Sequence, residues 1–302
     1  MNSLRHKHLF AERTTLKRML SEIPIEDVLE RSGLEARLED VENELVTAGP
    51  PRREPARARL TFRGRPVVDQ HGIFAEFGTR ATSAFADAVA KVAAGLSGPL
   101  AAMGPIPNRD ESQLLITGTA LGSFGFELEE ASSNLLEFEE QTIAGQALEL
   151  TQSLLQSTLG TDDELADSAV AIDPRAVAAV RTFLEFLGTN EAVCALQFND
   201  KLFQFKDVGE VTRSVQRLGH DNLHEEQTQL NGRFQGVLPK ARTFEFKLGD
   251  SQEVIRGKVG TTIASPEVIN EHLTQTVKID VLATRVGMGH PRYVLITLPE
   301  WS

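Results

Sequence analysis

Tyrosine, tryptophan and cysteine are almost missing from this chain of 302 residues, which holds one of each: Tyr293, Trp301 and Cys194. A single cysteine excludes an internal disulfide and, within one chain, a thiolate zinc cluster. Its setting, AVCALQF, reads as a buried strand, which makes Cys194 a small core hydrophobe. Long apolar runs are also missing. Nothing approaches the roughly 18 consecutive apolar residues of a membrane span, and the opening MNSLRHKHLFAERTTLKRML has no apolar stretch of signal-peptide length. A cytoplasmic protein with no membrane contact is expected.

Enzyme signatures are missing too. The stretch GTALGSFGFELEE, Gly118 to Glu130, holds three glycines but no lysine, so it cannot be a phosphate loop of the form GxxxxGK[ST]. A dinucleotide loop must open a helix, whereas Phe124, Phe126 and Leu128 alternate with Gly125, Glu127 and Glu129 as in a strand. The glycines are therefore read as turn or bulge positions that permit positive φ. His220 and His224 have helical spacing, but Gln227 and Thr228 stand where HExxH needs its second histidine, and Gly219 points to a solvated loop. No GxSxG is present. No catalytic residue, metal site or cofactor is expected, although an enzyme of a type without a local signature stays open.

Positive charge is scarce in one segment only. Residues 110–190 carry two basic against fifteen acidic side chains, and that segment accounts for the whole net charge of −12. Such a patch repels nucleic acid and membrane phosphates and attracts a basic surface. Glu137, Glu139, Glu140, Asp162, Asp163 and Glu164 are the candidate partner-binding residues, set against the plainer reading of a solvated surface.

With 41% hydrophobic and 25% charged residues, the rest has ordinary globular composition. Residues 11–47 read as helix broken at Pro24 and again near Gly33. Leu34, Leu38, Val41 and Leu45 form a short apolar stripe for docking onto its own domain or for self-association. GPPRREPAR marks a connection. ARLTF and PVVD read as a strand pair joined through RGR, followed by a helix with Ala81, Phe85, Val89 and Val92 inward. A further strand pair spans SQLLITGTALGSFGFELEE. Helix is expected from Glu137, with Ile143, Ala147, Leu150 and Leu154 on one face, and then GTDDELADSAVAI as an acidic connection. Asp173 and Pro174 open a capped helix, Asn199 and Asp200 turn a hairpin, and Asp207 with Glu210 caps one more helix.

The last third reads as five strands, GRFQGVL, RTFEFKL, EVIRGKV, TVKIDVLATRV and RYVLITL, with a short helix at SPEVINEHLTQ. That order suits an OB-like small barrel, with an SH3-like barrel as rival. The expected class is α+β: amino-terminal helices (1–48), a mixed α/β module with an acidic helical centre (56–225), and a carboxy-terminal five-stranded OB-like small β-barrel (228–302). A barrel raises nucleic-acid binding, for which Arg233, Arg242, Lys247, Arg256 and Lys258 are the candidates. The pattern points Phe244 and Phe246 into the core, which leaves few aromatics for base stacking.

The runs GRPVVDQHGIFAEFG, SQLLITGTALGSFGFELEE and GRFQGVLPKARTFEFKLGDSQEVIRGKV resemble a group of uncharacterised bacterial proteins that join an amino-terminal α/β module to a carboxy-terminal barrel. The resemblance implies a bacterial source and an accessory or regulatory role, such as a subunit of an antiviral defence or toxin-restraint system. It supplies no catalytic residues. The expectation is a non-enzymatic protein that binds a protein partner through its acidic segment, with nucleic-acid binding on the barrel as the alternative.

Overall fold

The computed structural model describes residues 3–24, 27–48, 55–120, 124–131, 141–273 and 275–301. The chain divides into two compact units, residues 1–56 with 130–142, and residues 57–129 with 143–302.

In the first unit, α1 (Ser3–Glu22) packs against α2 (Val28–Ala48). Leu9 and Leu16 of α1 bury against Val41, with Leu34, Leu38 and Leu45 around them, so the apolar stripe is taken up inside the chain. The break falls at Pro24 as expected, where Arg31 Nη1 donates to the Leu20 and Ile23 carbonyls, 3.0 Å from each. No break occurs at Gly33. Its cost in a helix interior, about 1 kcal/mol, is met by the stripe packed on α1.

The second unit begins with a five-stranded sheet in the order β4-β5-β1-β6-β7. Its strands are β1 (Arg57–Gly64), β4 (Leu114–Ala120), β5 (Phe124–Glu130), β6 (Ala192–Phe198) and β7 (Lys201–Gln204). The expected pairing of ARLTF with PVVD does not form. β1 instead runs antiparallel between β5 and β6, while β2 (Val67–Val68) pairs with β3 (Gly72–Ile73). Leu60 and Phe62 of β1 are fully buried, and a two-stranded ribbon could not cover them. Helices α3 (Ala75–Ser97), α4 (Ile143–Ser157) and α6 (Pro174–Thr189) supply that cover: Phe62 meets Phe77 edge-on at 5.5 Å, and Phe85 meets Phe183 at 5.6 Å. Ala81, Phe85, Val89 and Val92 all face inward as expected. In α4 the buried side runs through Ala144, Ala147, Leu148, Thr151, Leu154 and Leu155, so Ile143 and Leu150 flank it rather than lead it.

Gly118 and Gly125 lie within strands, and neither has positive φ. A Cβ on Gly125 would stand 2.1 Å from the Leu60 carbonyl oxygen. This glycine is therefore required by close strand approach, not by a turn. Gly122 lies outside the described residues. The Asp173 cap, the Asn199–Asp200 hairpin and the Asp207 cap of α7 (Val208–Arg217) form as expected.

The acidic connection is in fact a helix, α5 (Asp162–Val170). Thr161 and Glu164 make a reciprocal capping box: Thr161 Oγ1 accepts from the Glu164 amide at 3.2 Å and Glu164 Oε2 accepts from the Thr161 amide at 2.7 Å.

The same unit ends in a closed barrel of β8 (Leu223–Leu238), β9 (Thr243–Leu248), β10 (Val254–Val259), β11 (Val277–Val286) and β12 (Arg292–Leu295), ordered β10-β12-β11-β8-β9. β10 and β12 are parallel and the other pairs antiparallel. A parallel pair needs a crossover, and the 3-10 segment Pro266–His272 with β11 provides it, as in the expected OB-like arrangement. Phe234, Phe244 and Phe246 fill the interior with ring centroids 5.0 and 5.8 Å from Phe234. Trp301 packs on this core and stacks on His272 at 4.4 Å.

Candidate binding groove on the barrel

Alternation along β9 and β10 sends Phe244, Phe246, Ile255 and Val259 inward and leaves Glu245, Lys247, Arg256 and Lys258 outside. Register then sets their neighbours. Arg233 of β8 lies directly opposite Lys247, Glu245 opposite Arg256, and Thr243 opposite Lys258. Glu245 Oε1 and Arg256 Nε pair at 2.9 Å. Among the described residues, Arg233, Lys247 and Lys258 have no carboxylate within salt-bridge distance. Like charges directly opposite one another destabilise a strand pair, so the Arg233–Lys247 pair works against the barrel's own stability.

A groove of about 1150 Å³ opens over this face, bounded by β9, β10, the start of β12 and the side of α5. Lys258, Arg256 and Arg292 line it beside the carboxylates of Asp167, Glu245 and Glu253, with His290, Tyr293 and an apolar part that includes Val170, Leu238 and Pro291. Burial in the groove lowers the Lys258 pKa from the ordinary lysine value, and the Asp167 carboxylate opposes that shift. Tyr293 is raised, first by burial and then by Glu253.

The groove's wall depends on α5. Arg292 Nε and Nη2 donate to the two carboxylate oxygens of Asp167, and Arg292 also lies 3.4 Å from Asp163 Oδ1. The same Asp163 oxygen accepts from the His290 amide at 3.1 Å. The Arg292 pKa is raised, mainly by its hydrogen bond to Asp167. Asp162 pairs with Arg217 of α7 at 2.8 Å.

The sequence-derived candidates therefore separate. Asp162 and Asp163 hold α5 to α7 and to the β11–β12 loop, and Glu164 caps α5; Glu137, Glu139 and Glu140 lie outside the described residues. Arg233, Lys247, Arg256 and Lys258 come together on one barrel face. Arg242 does not join them, because its guanidinium donates to the carbonyls of Val259, Gly260 and Ile263 and closes the β8–β9 turn onto the barrel end. Asp167 and Arg292 were not among the candidates. Their only local signal was the Thr161–Glu164 capping-box spacing, which marks α5 as a helix but not what it touches. His224 sits in β8 opposite Arg285, so its helical spacing from His220 has no structural meaning, and among the described residues no group of three His, Cys, Asp or Glu could hold a metal ion. No described helix is long and apolar enough to cross a membrane. Comparison of the chain with protein-family models, with curated proteins and with solved structures finds no match.

Proposed function

We propose that this is a non-enzymatic binding protein whose working surface is the barrel groove, and that its ligand is an extended polyanion, single-stranded nucleic acid. One observation carries this reading: Arg233, Lys247 and Lys258 share a face beside the groove with no carboxylate partner among the described residues. Phosphates would supply the missing counter-charge. Phe244 is buried and Tyr293 is partly buried on the core, so of the rings that line the groove only Tyr293 and His290 offer any surface to a base. Affinity then comes from phosphate contacts and tolerates any sequence.

Fluorescence anisotropy with a labelled oligothymidylate tests this. Three or four neutralised phosphates give a slope near −2 to −3 in log affinity against log salt, a loss of roughly twenty- to sixtyfold between about 50 and about 200 mM salt. The triple variant Arg233→Glu, Lys247→Glu, Lys258→Glu should lose binding. Absence of binding by the natural protein at low salt, or full binding by the triple variant, refutes the reading.

Docking of a basic protein partner on the acidic segment is the second proposal, supported by the fifteen acids of residues 110–190. Reversing Asp162 or Asp163 would break contacts that hold α5, so a clean test reverses Glu137, Glu139 and Glu140 only. A partner retained at full strength by that variant removes this role.

A further inference from the structure

Of the groove cations, Arg256 pairs with Glu245 through one hydrogen bond, whereas Arg292 is committed to a two-point partner. Its planar fork faces the Asp167 carboxylate through two parallel hydrogen bonds, the geometry in which a guanidinium also binds a phosphate. Asp167 itself remains open to water, with 63% of its side chain exposed, whereas Arg292 is 27% exposed. Both residues line the groove, and Asp167 also acts electrostatically on Lys258, so one carboxylate bears on two of its cations.

Resting on the polyanion reading above, we infer that Asp167 is a built-in competitor for the groove, holding Arg292 in the place a ligand phosphate would take. Full engagement of the ligand then requires Arg292 to exchange Asp167 for a phosphate. That exchange also loosens α5 from the β11–β12 loop, where Asp163 remains as the second tether through the His290 amide. The groove is thereby tuned against small single anions. A monoanion gains only what Arg292 loses on leaving Asp167, while a polymer also engages Lys258, Lys247 and Arg233.

The test compares the natural protein with Asp167→Asn and Asp167→Ser in the oligothymidylate assay. Glu185→Gln serves as a control that removes the same charge from α6, where Glu185 pairs with Arg181 at 3.0 Å. Circular dichroism verifies that each variant is folded. Both Asp167 variants should bind roughly two- to fivefold more tightly than the control, the scale of one partly exposed charge pair. Their salt dependence should stay close to that of the natural protein, because Arg292 meets the same phosphate in both complexes once Asp167 has been displaced. Equal or weaker binding by folded Asp167 variants, with the natural protein still binding, overturns the competitor role alone. Binding by neither the natural protein nor the variants overturns the polyanion reading together with it.

Discussion

Removal of the Arg217 side chain should be among the most damaging single changes outside the apolar core. Its Nη1 donates to the carbonyls of Thr158 and Gly160 at 2.6 and 2.7 Å, and more weakly to Ser157 at 3.4 Å, while Nη2 pairs with Asp162 at 2.8 Å. The Ser157 carbonyl ends α4 and already accepts from the Gly160 amide, whereas those of Thr158 and Gly160 follow it, where no further helical turn supplies donors. Thr158 is buried and its hydroxyl is already engaged with Ser214 at 2.7 Å, so it cannot turn to replace the lost donor. A hydrogen bond to a charged group contributes about 1.5–3 kcal/mol. The two short ones would sum to more than 3 kcal/mol, but Arg217 is 21% exposed and water can reach part of the vacated space. The Asp162 pair, 41% exposed on the acid side, adds at most about 1 kcal/mol. The net expectation for Arg217→Ala is about 3 kcal/mol, which for a unit of this size lowers Tm by roughly 6–12 °C. Arg217→Lys should recover less than half, since one ammonium cannot reproduce the fork. Thermal denaturation followed by circular dichroism measures both. A Tm for Arg217→Ala within about 2 °C of the natural protein would refute this account.

Burial raises the Cys194 thiol to about 12 from 9.0, so the unfolded chain releases this proton first as pH rises. The thiol's contribution to stability is therefore complete below about pH 9 and declines between about 9 and 12, by up to about 1.4 kcal/mol per pH unit. Denaturant midpoints for Cys194→Ala should fall less steeply over that range, and parallel profiles would contradict the burial effect. In the barrel, a Cβ on Gly257 would lie 2.5 Å from the Phe244 ring and 2.7 Å from the Tyr293 carbonyl oxygen. Gly257→Ala should cost about 3 kcal/mol or more, because neither the backbone nor the enclosed ring can yield. Proteolysis confined to residues 223–301 would report it, and a barrel as resistant as the natural one would count against the contact.

Local rules were sufficient wherever a residue's role is decided by its neighbours in sequence. Asp173 before Pro174, Asp207 before Glu210 and the Asn199–Asp200 turn all formed as read, because caps and tight turns satisfy backbone groups within a few residues. Alternation placed Phe244 and Phe246 inside and Lys247 and Arg256 outside for the same reason. The α5 helix is legible in its Thr161–Glu164 capping box, although by composition the same stretch reads as an acidic connection.

What tertiary structure alone decided was the company each side chain keeps. The sequence determined an α+β chain ending in a small barrel, with apolar stripes of the right period and an acidic middle. It could not place β1 between β5 and β6, because register between distant strands depends on which buried face the helices cover. Nor could it bring Asp167 to Arg292, separated by 125 residues, or divide the acids into those that hold α5 and those that do not. Charge is written residue by residue, but whether a charge is free, paired or poised in a groove depends on distances that only the folded chain sets.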